Sequence, residues 1–172
     1  MTAPRRPSRL ASGLGTCALV VAAVALGALT WHAYVKASQL ARASTCYDNV
    51  EALSVSFSMY RADHADRLPL APNWCDALDS GYVKAWDPWR CPELPEVSCG
   101  YAYNAHLSGA DAAVIASPDT LALVFDGGWG WNAAGGPALF APRHRGCGTV
   151  LYVGGWRNCR RPEDLPGLTW NP

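Results

Sequence analysis

RASTCYDNVEALSVSFSMYRADHADRLP, Arg42 to Pro69, returns an apolar side chain at Cys46, Val50, Leu53, Phe57 and Tyr60, in alternating steps of four and three. That spacing places the five on one face of an amphipathic helix. Asp48, Asn49, Glu51, Ser54, Ser58 and Arg61 fill much of the opposite side, which is expected to face water. No proline interrupts the chain between Pro7 and Pro69, so the stretch reads as the second half of one long helix. Arg67-Leu68-Pro69 is expected to end it, because proline disfavours a helical residue before itself.

Upstream, Leu10 to Val35 carries no formal charge, and its centre, Cys17 to Trp31, reads CALVVAAVALGALTW. About 20 apolar residues cross the hydrocarbon of a bilayer at 1.5 Å per residue. Arg5, Arg6 and Arg9 precede the run, and by the positive-inside rule they keep that end in the cytoplasm and send the rest outward. The expected organisation is a basic cytoplasmic N-terminus (1–12), a transmembrane helix (13–35), an amphipathic continuation (36–66) and an extracytoplasmic, disulfide-braced, β-rich head (67–172). Trp31, at the outer end of the span, suits an interfacial anchor. A cleaved signal ending at Ala41-Arg42-Ala43 is the rival reading, but that site lies about a dozen residues beyond the apolar run, with Lys36 and Arg42 intervening. Arg5-Arg6 lacks the hydrophobic followers of a twin-arginine signal, and Leu14-Gly15-Thr16-Cys17 precedes the apolar run that a lipoprotein box should follow.

Fourteen basic and fourteen acidic side chains cancel among 172 residues, so no net field draws the protein to nucleic acid. Seven cysteines are present. Cys17 lies in the apolar run; Cys46, Cys75, Cys91, Cys99, Cys147 and Cys159 are spread along the rest without a CxxC or CxxCH spacing. Six widely spaced cysteines without a metal signature imply three disulfides and an oxidising compartment, with fifteen pairings open.

Beyond Pro69 the chain breaks into short runs. A brief helix is expected at Asn73–Leu78, then a proline-rich loop, AWDPWRCPELPE. Strands are expected at Gly100–Asn104, Leu121–Phe125, Thr149–Val153 and Trp156–Cys159. Gly154-Gly155 reads as a two-residue hairpin link, which places Cys147 and Cys159 at its open ends and makes them the best single disulfide pair.

Taken in order, the Arg42–Pro69 stretch, NWCDAL, YVKAW, RCPELP, CGYAYN, LSG, SPDTLALVFD and RHRGCGTVLYVGG resemble the prepilin-type proteins with an H-x9-DG C-terminal motif, relatives of type II secretion pseudopilins. The resemblance runs from about Lys36 to Arg157. It implies an α+β, pilin-like fold: a long N-terminal helix, transmembrane in its first half, packed on a small antiparallel sheet. It also implies a structural or accessory subunit of a type II secretion or type IV pilus-like system, with the membrane and other pilin-like subunits or secretion components as partners. The chain departs from the family twice. RLASGLGTCALVV has neither the phenylalanine nor the glutamate of the peptidase signature, and Gly154 stands ten residues after His144, where the family has aspartate. A membrane-tethered extracytoplasmic binding module that keeps the pilin shape without polymerising is therefore the alternative.

Asp126, His144, His106 and the Asp63-His64 pair are the residues with catalytic chemistry, but none lies in a motif that fixes geometry, and no catalytic residue, cofactor or small-molecule ligand is expected. His144 is expected to serve folding, its ring donating to a backbone carbonyl. Asp126 and His144 are weak metal candidates. A calcium loop at Asp126-Gly127-Gly128 lacks the six to eight oxygens the ion takes, and Asp126 is expected to cap or close a turn. Eight tryptophans are expected mainly in the core; Trp129 and Trp131, in GGWGWNAAGG, form the candidate interaction loop.

Overall fold

The computed structural model describes residues 9–83, 87–128 and 130–172, with side chains from Thr16 onward. The chain divides into two compact units, Met1–Leu40 and Ala41–Pro172. Helix α1, Arg9–Asp63, begins in the first and ends in the second. In the first unit its Leu, Val, Trp and Tyr side chains are exposed, including Leu19, Val24, Leu29, Trp31 and Tyr34. Among the described residues it is the one helix long and apolar enough to cross a membrane. The fold is α+β.

In the second unit α1 buries one face. Cys46, Val50 and Leu53 are inaccessible and Phe57 nearly so, as the spacing of four and three requires. Phe57, Trp74 and Tyr103 form a triangle of near-parallel rings, with Phe57 at a centroid separation of 6.0 Å from each of the others and 5.7 Å between those two. The buried face is wider than the apolar stripe. Asn49 and Ser54, expected toward water, are buried because loops cover them, and each finds an acceptor: Asn49 donates to the Arg90 carbonyl at 2.9 Å and Ser54 to that of Gly155 at 2.8 Å. The helix also stops earlier than Pro69 demands. Ala65 and Asp66 turn left-handed, and the Asp66 amide donates to the Arg61 carbonyl at 2.9 Å, which closes the last turn after Asp63.

Helix α2, Trp74–Asp79, follows. The five strands are β1 (Tyr101–Asn104), β2 (Ala122–Asp126), β3 (Ala134–Gly135), β4 (Gly148–Tyr152) and β5 (Arg157–Arg160), in the order β3-β1-β2-β4-β5. All neighbours are antiparallel except β1 and β3. The sheet is covered on both faces. Tyr101, Tyr103, Leu123, Val124, Leu151 and Val153 join the α1 stripe and Trp74 in one core. Ala102, Ala122, Phe125, Val150 and Tyr152 form a second, closed by Leu139, Phe140, Leu168 and Trp170. A register shift between Ala122 and Val124 lets two successive residues, Leu123 and Val124, serve the first core. The β4–β5 link is longer than the expected two residues. Gly155 donates to the Tyr152 carbonyl and Tyr152 to that of Trp156, so Val153-Gly154-Gly155 form the loop, and only Gly155 takes a positive φ, +91°. The Cys147–Cys159 disulfide is formed.

Candidate functional site

The polar residues singled out in the sequence converge on the end of β2. Asp126 is its last residue, wholly buried, and not part of an exposed turn or ion-binding loop. Its Oδ2 accepts from the Thr149 amide at 2.7 Å, where a backbone carbonyl would otherwise continue the β2–β4 ladder. His144 is brought to it by a tight turn. The backbones of His144 and Cys147 exchange hydrogen bonds of 2.9 and 3.2 Å while Arg145 and Gly146 adopt φ of +57° and +84°. The ring, turned inward and 5% exposed, sets Nε2 at 3.6 Å from Asp126 Oδ2 and 3.4 Å from Cys91 Sγ. The expected carbonyl partner is replaced by a carboxylate and a sulfur. Asp126 Oδ1 and His144 Nδ1 have no hydrogen-bond partner among the described residues.

Cys91 completes the contact with α1. Its Sγ lies 2.7 Å from Cys46 Sγ, and the Tyr101 hydroxyl approaches Cys46 Sγ at 3.4 Å. Asn49, one residue short of a turn beyond Cys46, holds the Arg90 carbonyl and thereby fixes the Cys91 loop on the helix. Arg143 donates to the carbonyls of Gly100 and Gly128 at 2.7 and 3.3 Å, bracing the turn that carries His144. Cys46, Cys91, Tyr101, Asp126 and His144 thus form one closed polar cluster, drawn from α1, a proline-bounded loop, two strands and a turn.

Burial and mutual contact together set its electrostatics. Asp126 is pushed up to about 6, chiefly by desolvation, with the Thr149 N–H and His144 opposing. Burial would lower His144, but Cys91 and Asp126 outweigh it and the net shift is upward. The two thiols move apart: Cys46 is raised by its hydrogen bond to Cys91 and by burial, while Cys91 is lowered by that same bond, with His144 adding to the effect. Cys46, Cys91 and His144 hold donor atoms within 4.8 Å of one another, a geometry that can be weighed as a metal site. Two thiolates on tetrahedral zinc at about 2.3 Å each stand about 3.8 Å apart, well beyond the 2.7 Å found here.

The remaining candidates lie elsewhere. His106 and His64 are exposed; the His64 ring stacks on Tyr60 and its Nδ1 contacts the Tyr60 carbonyl at 2.8 Å, while Asp63 accepts from the Tyr82 hydroxyl. Trp74 and Trp89 are core residues, and Trp156 is half-exposed, stacked on Tyr152. Trp129 falls outside the described residues, as does Trp86. Trp131 is 38% exposed and held in place: its Nε1 donates to Asp76 at 2.7 Å and its ring meets Trp89 edge-on. With Asp79, Val83, Asp87, Trp89, Arg90 and Ser98 it lines a cleft of about 400 Å³. At Gly154, the position of the missing aspartate, the Asp119 carboxylate occupies the space an added side chain would enter.

No protein-family model matches the chain, and neither a curated protein nor a solved structure matches it. The layout, a long N-terminal helix followed by a small sheet, is nevertheless compatible with a pilin-like fold.

Proposed function

We propose that the chain is a pilin-like (pseudopilin) envelope protein, a structural or accessory subunit of a type II secretion or type IV pilus-like system. The observation that carries the reading is the change of character along α1: apolar and exposed in its first stretch, one-faced where it packs under a small sheet. The first stretch sits in the cytoplasmic membrane, N-terminus inside, and the head lies in the oxidising space outside. Its partners are the bilayer and other pilin-like subunits, and nucleic acid is not among them. The work is done by packing, without a catalytic step, a cofactor or a small-molecule ligand; the Asp126–His144 pair serves the head's structure. The test is a photo-crosslinking residue at Leu29 of the chain in its native host, read with the intact mass of the membrane-extracted protein. Adducts to pilin-like subunits are expected; an uncrosslinked, full-length chain overturns the reading.

The cleft beside Trp131 favours a second reading, a tethered binding module that keeps the pilin shape and does not polymerise. Exposed indole beside the mixed polar lining of Asp79, Asp87 and Arg90 suits a partner with sugar character.

A further inference from the structure

We propose that Cys46–Cys91 and Cys75–Cys99 are disulfides of the mature protein, so that the framework is Cys46–Cys91, Cys75–Cys99 and Cys147–Cys159. The two sulfurs of the first pair, at 2.7 Å, are well inside the separation of about 3.5–4.0 Å at which unbonded carbon atoms rest, and sulfur is larger than carbon. Both residues have 0% exposure. Cys75 and Cys99, equally buried, are the two that remain once Cys46 is paired with Cys91 and Cys147 with Cys159. Every cysteine of the head is thereby used once, and with Cys147–Cys159 already formed no sulfur is left over. Of the fifteen pairings open to six cysteines, the fold selects this one.

The two new bonds do a different job from the first. Cys147–Cys159 clamps a hairpin whose strands are already paired over four positions. Cys46–Cys91 ties α1 to the loop ahead of β1, and Cys75–Cys99 ties α2 to the end of that loop, in a region where Pro88, Pro92 and Pro95 forbid ladders of backbone bonds. The covalent links stand where regular structure does not.

The oxidant is an external disulfide. Cys91 gives its proton to the neighbouring His144 and, as thiolate, attacks one sulfur of the oxidant, breaking that S–S bond and releasing one thiolate, which takes the proton from His144. Cys46 then loses its proton and attacks Cys91 Sγ, expelling the second sulfur of the oxidant as a thiol. The pair loses two electrons and two protons, and the oxidant gains both. Cys91, His144 and Asp126 all lie beyond Pro69 in the sequence, and Cys46, on α1, supplies the second sulfur.

This inference is independent of whether the chain assembles with other subunits, and the experiment reads only the sulfur chemistry. The full chain, extracted from membranes in detergent, is unfolded in N-ethylmaleimide without reductant, then cut with trypsin and a glutamyl endopeptidase, since Glu93 and Glu96 separate Cys91 from Cys99. Mass spectrometry is expected to find three linked peptide pairs, 46 with 91, 75 with 99 and 147 with 159, each lighter by two hydrogens than its free peptides. In C91S, Cys46 is expected to take up one maleimide while the other two links persist. Any other pairing overturns the proposal. So does alkylation of Cys46 and Cys91 in the unmodified chain, with or without zinc released in equal amount. If C91S fails to fold, the map of the unmodified chain decides alone.

Discussion

Between Leu19 and Tyr34 the large apolar side chains of α1 are 57–73% exposed; between Cys46 and Phe57 the face at 46, 50, 53 and 57 has no more than 2%. The backbone is the same helix in both stretches, and what differs is the distribution of polarity around it. A helix apolar all round has no side to offer water and needs an apolar medium, whereas a helix apolar on one side needs a partner surface of its own size. The second stretch has that partner in Trp74, Tyr103 and the sheet. Its polar flanks are also engaged: Asn49 and Ser54 bond to loop carbonyls, and Arg157 reaches Glu51 and covers the Tyr47 ring at 4.1 Å.

Three measurements press on this contrast. Phe57→Ala opens a space beside the stacked Trp74 and Tyr103 rings and should lower the unfolding free energy of the head by about 3–5 kcal/mol, read by denaturant titration in detergent, with membrane attachment unchanged. An unaltered midpoint would mean that the 46–57 face is not the centre of the core. Val24→Asp places a charge in the exposed stretch at about 2.5–3.5 kcal/mol for a mid-bilayer position, and should move the protein into the soluble fraction on alkaline extraction while the head's near-UV dichroism stays intact. Retention of the variant in membranes would break the comparison at its first half.

The smallest effect is in pH. Asp126 is raised from 3.8 to about 6, so between those values the folded chain holds a proton that the unfolded chain has released, and stability falls as pH rises. In the reduced chain His144, lowered by burial but raised further by Cys91 and Asp126, acts with the same sign: its contribution is full below its unfolded value and is lost through the folded one. From Asp126 alone the unfolding free energy should drop by roughly 1 kcal/mol between pH 5 and 7. Asp126→Asn should flatten that slope; an unchanged slope would assign it to other groups.

The helix was legible because its stripe repeats over four turns, β1, β2 and β4 because each combines an apolar or aromatic run with a turn signal, and β5 only as the return strand after Gly154-Gly155. Strand β3 was not. Ala134-Gly135 has no side-chain pattern, and its pairing with Tyr103 and Asn104 exists only because the Trp131 loop is pinned to α2 by Asp76, Asn132 and Cys75. Asn49 and Ser54 were misplaced for a related reason, since a helical projection cannot show which loops will fold over a polar flank. Asp126 and His144 stood out singly as residue types. Their meeting with Cys46 and Cys91 joins positions up to 98 apart in the chain, and no local spacing encodes it. The one signal available was that Cys46 itself lies on the apolar stripe.

The borders of the sheet carry a consequence for how copies can meet. One border is two residues long, and the other, Arg157 to Arg160, carries a cystine and two arginines, with Arg157 turned onto Glu51 and Arg160 onto the Tyr152 hydroxyl. Short or cationic margins repel the addition of a foreign ribbon. Runaway cross-β stacking along either margin is thereby discouraged.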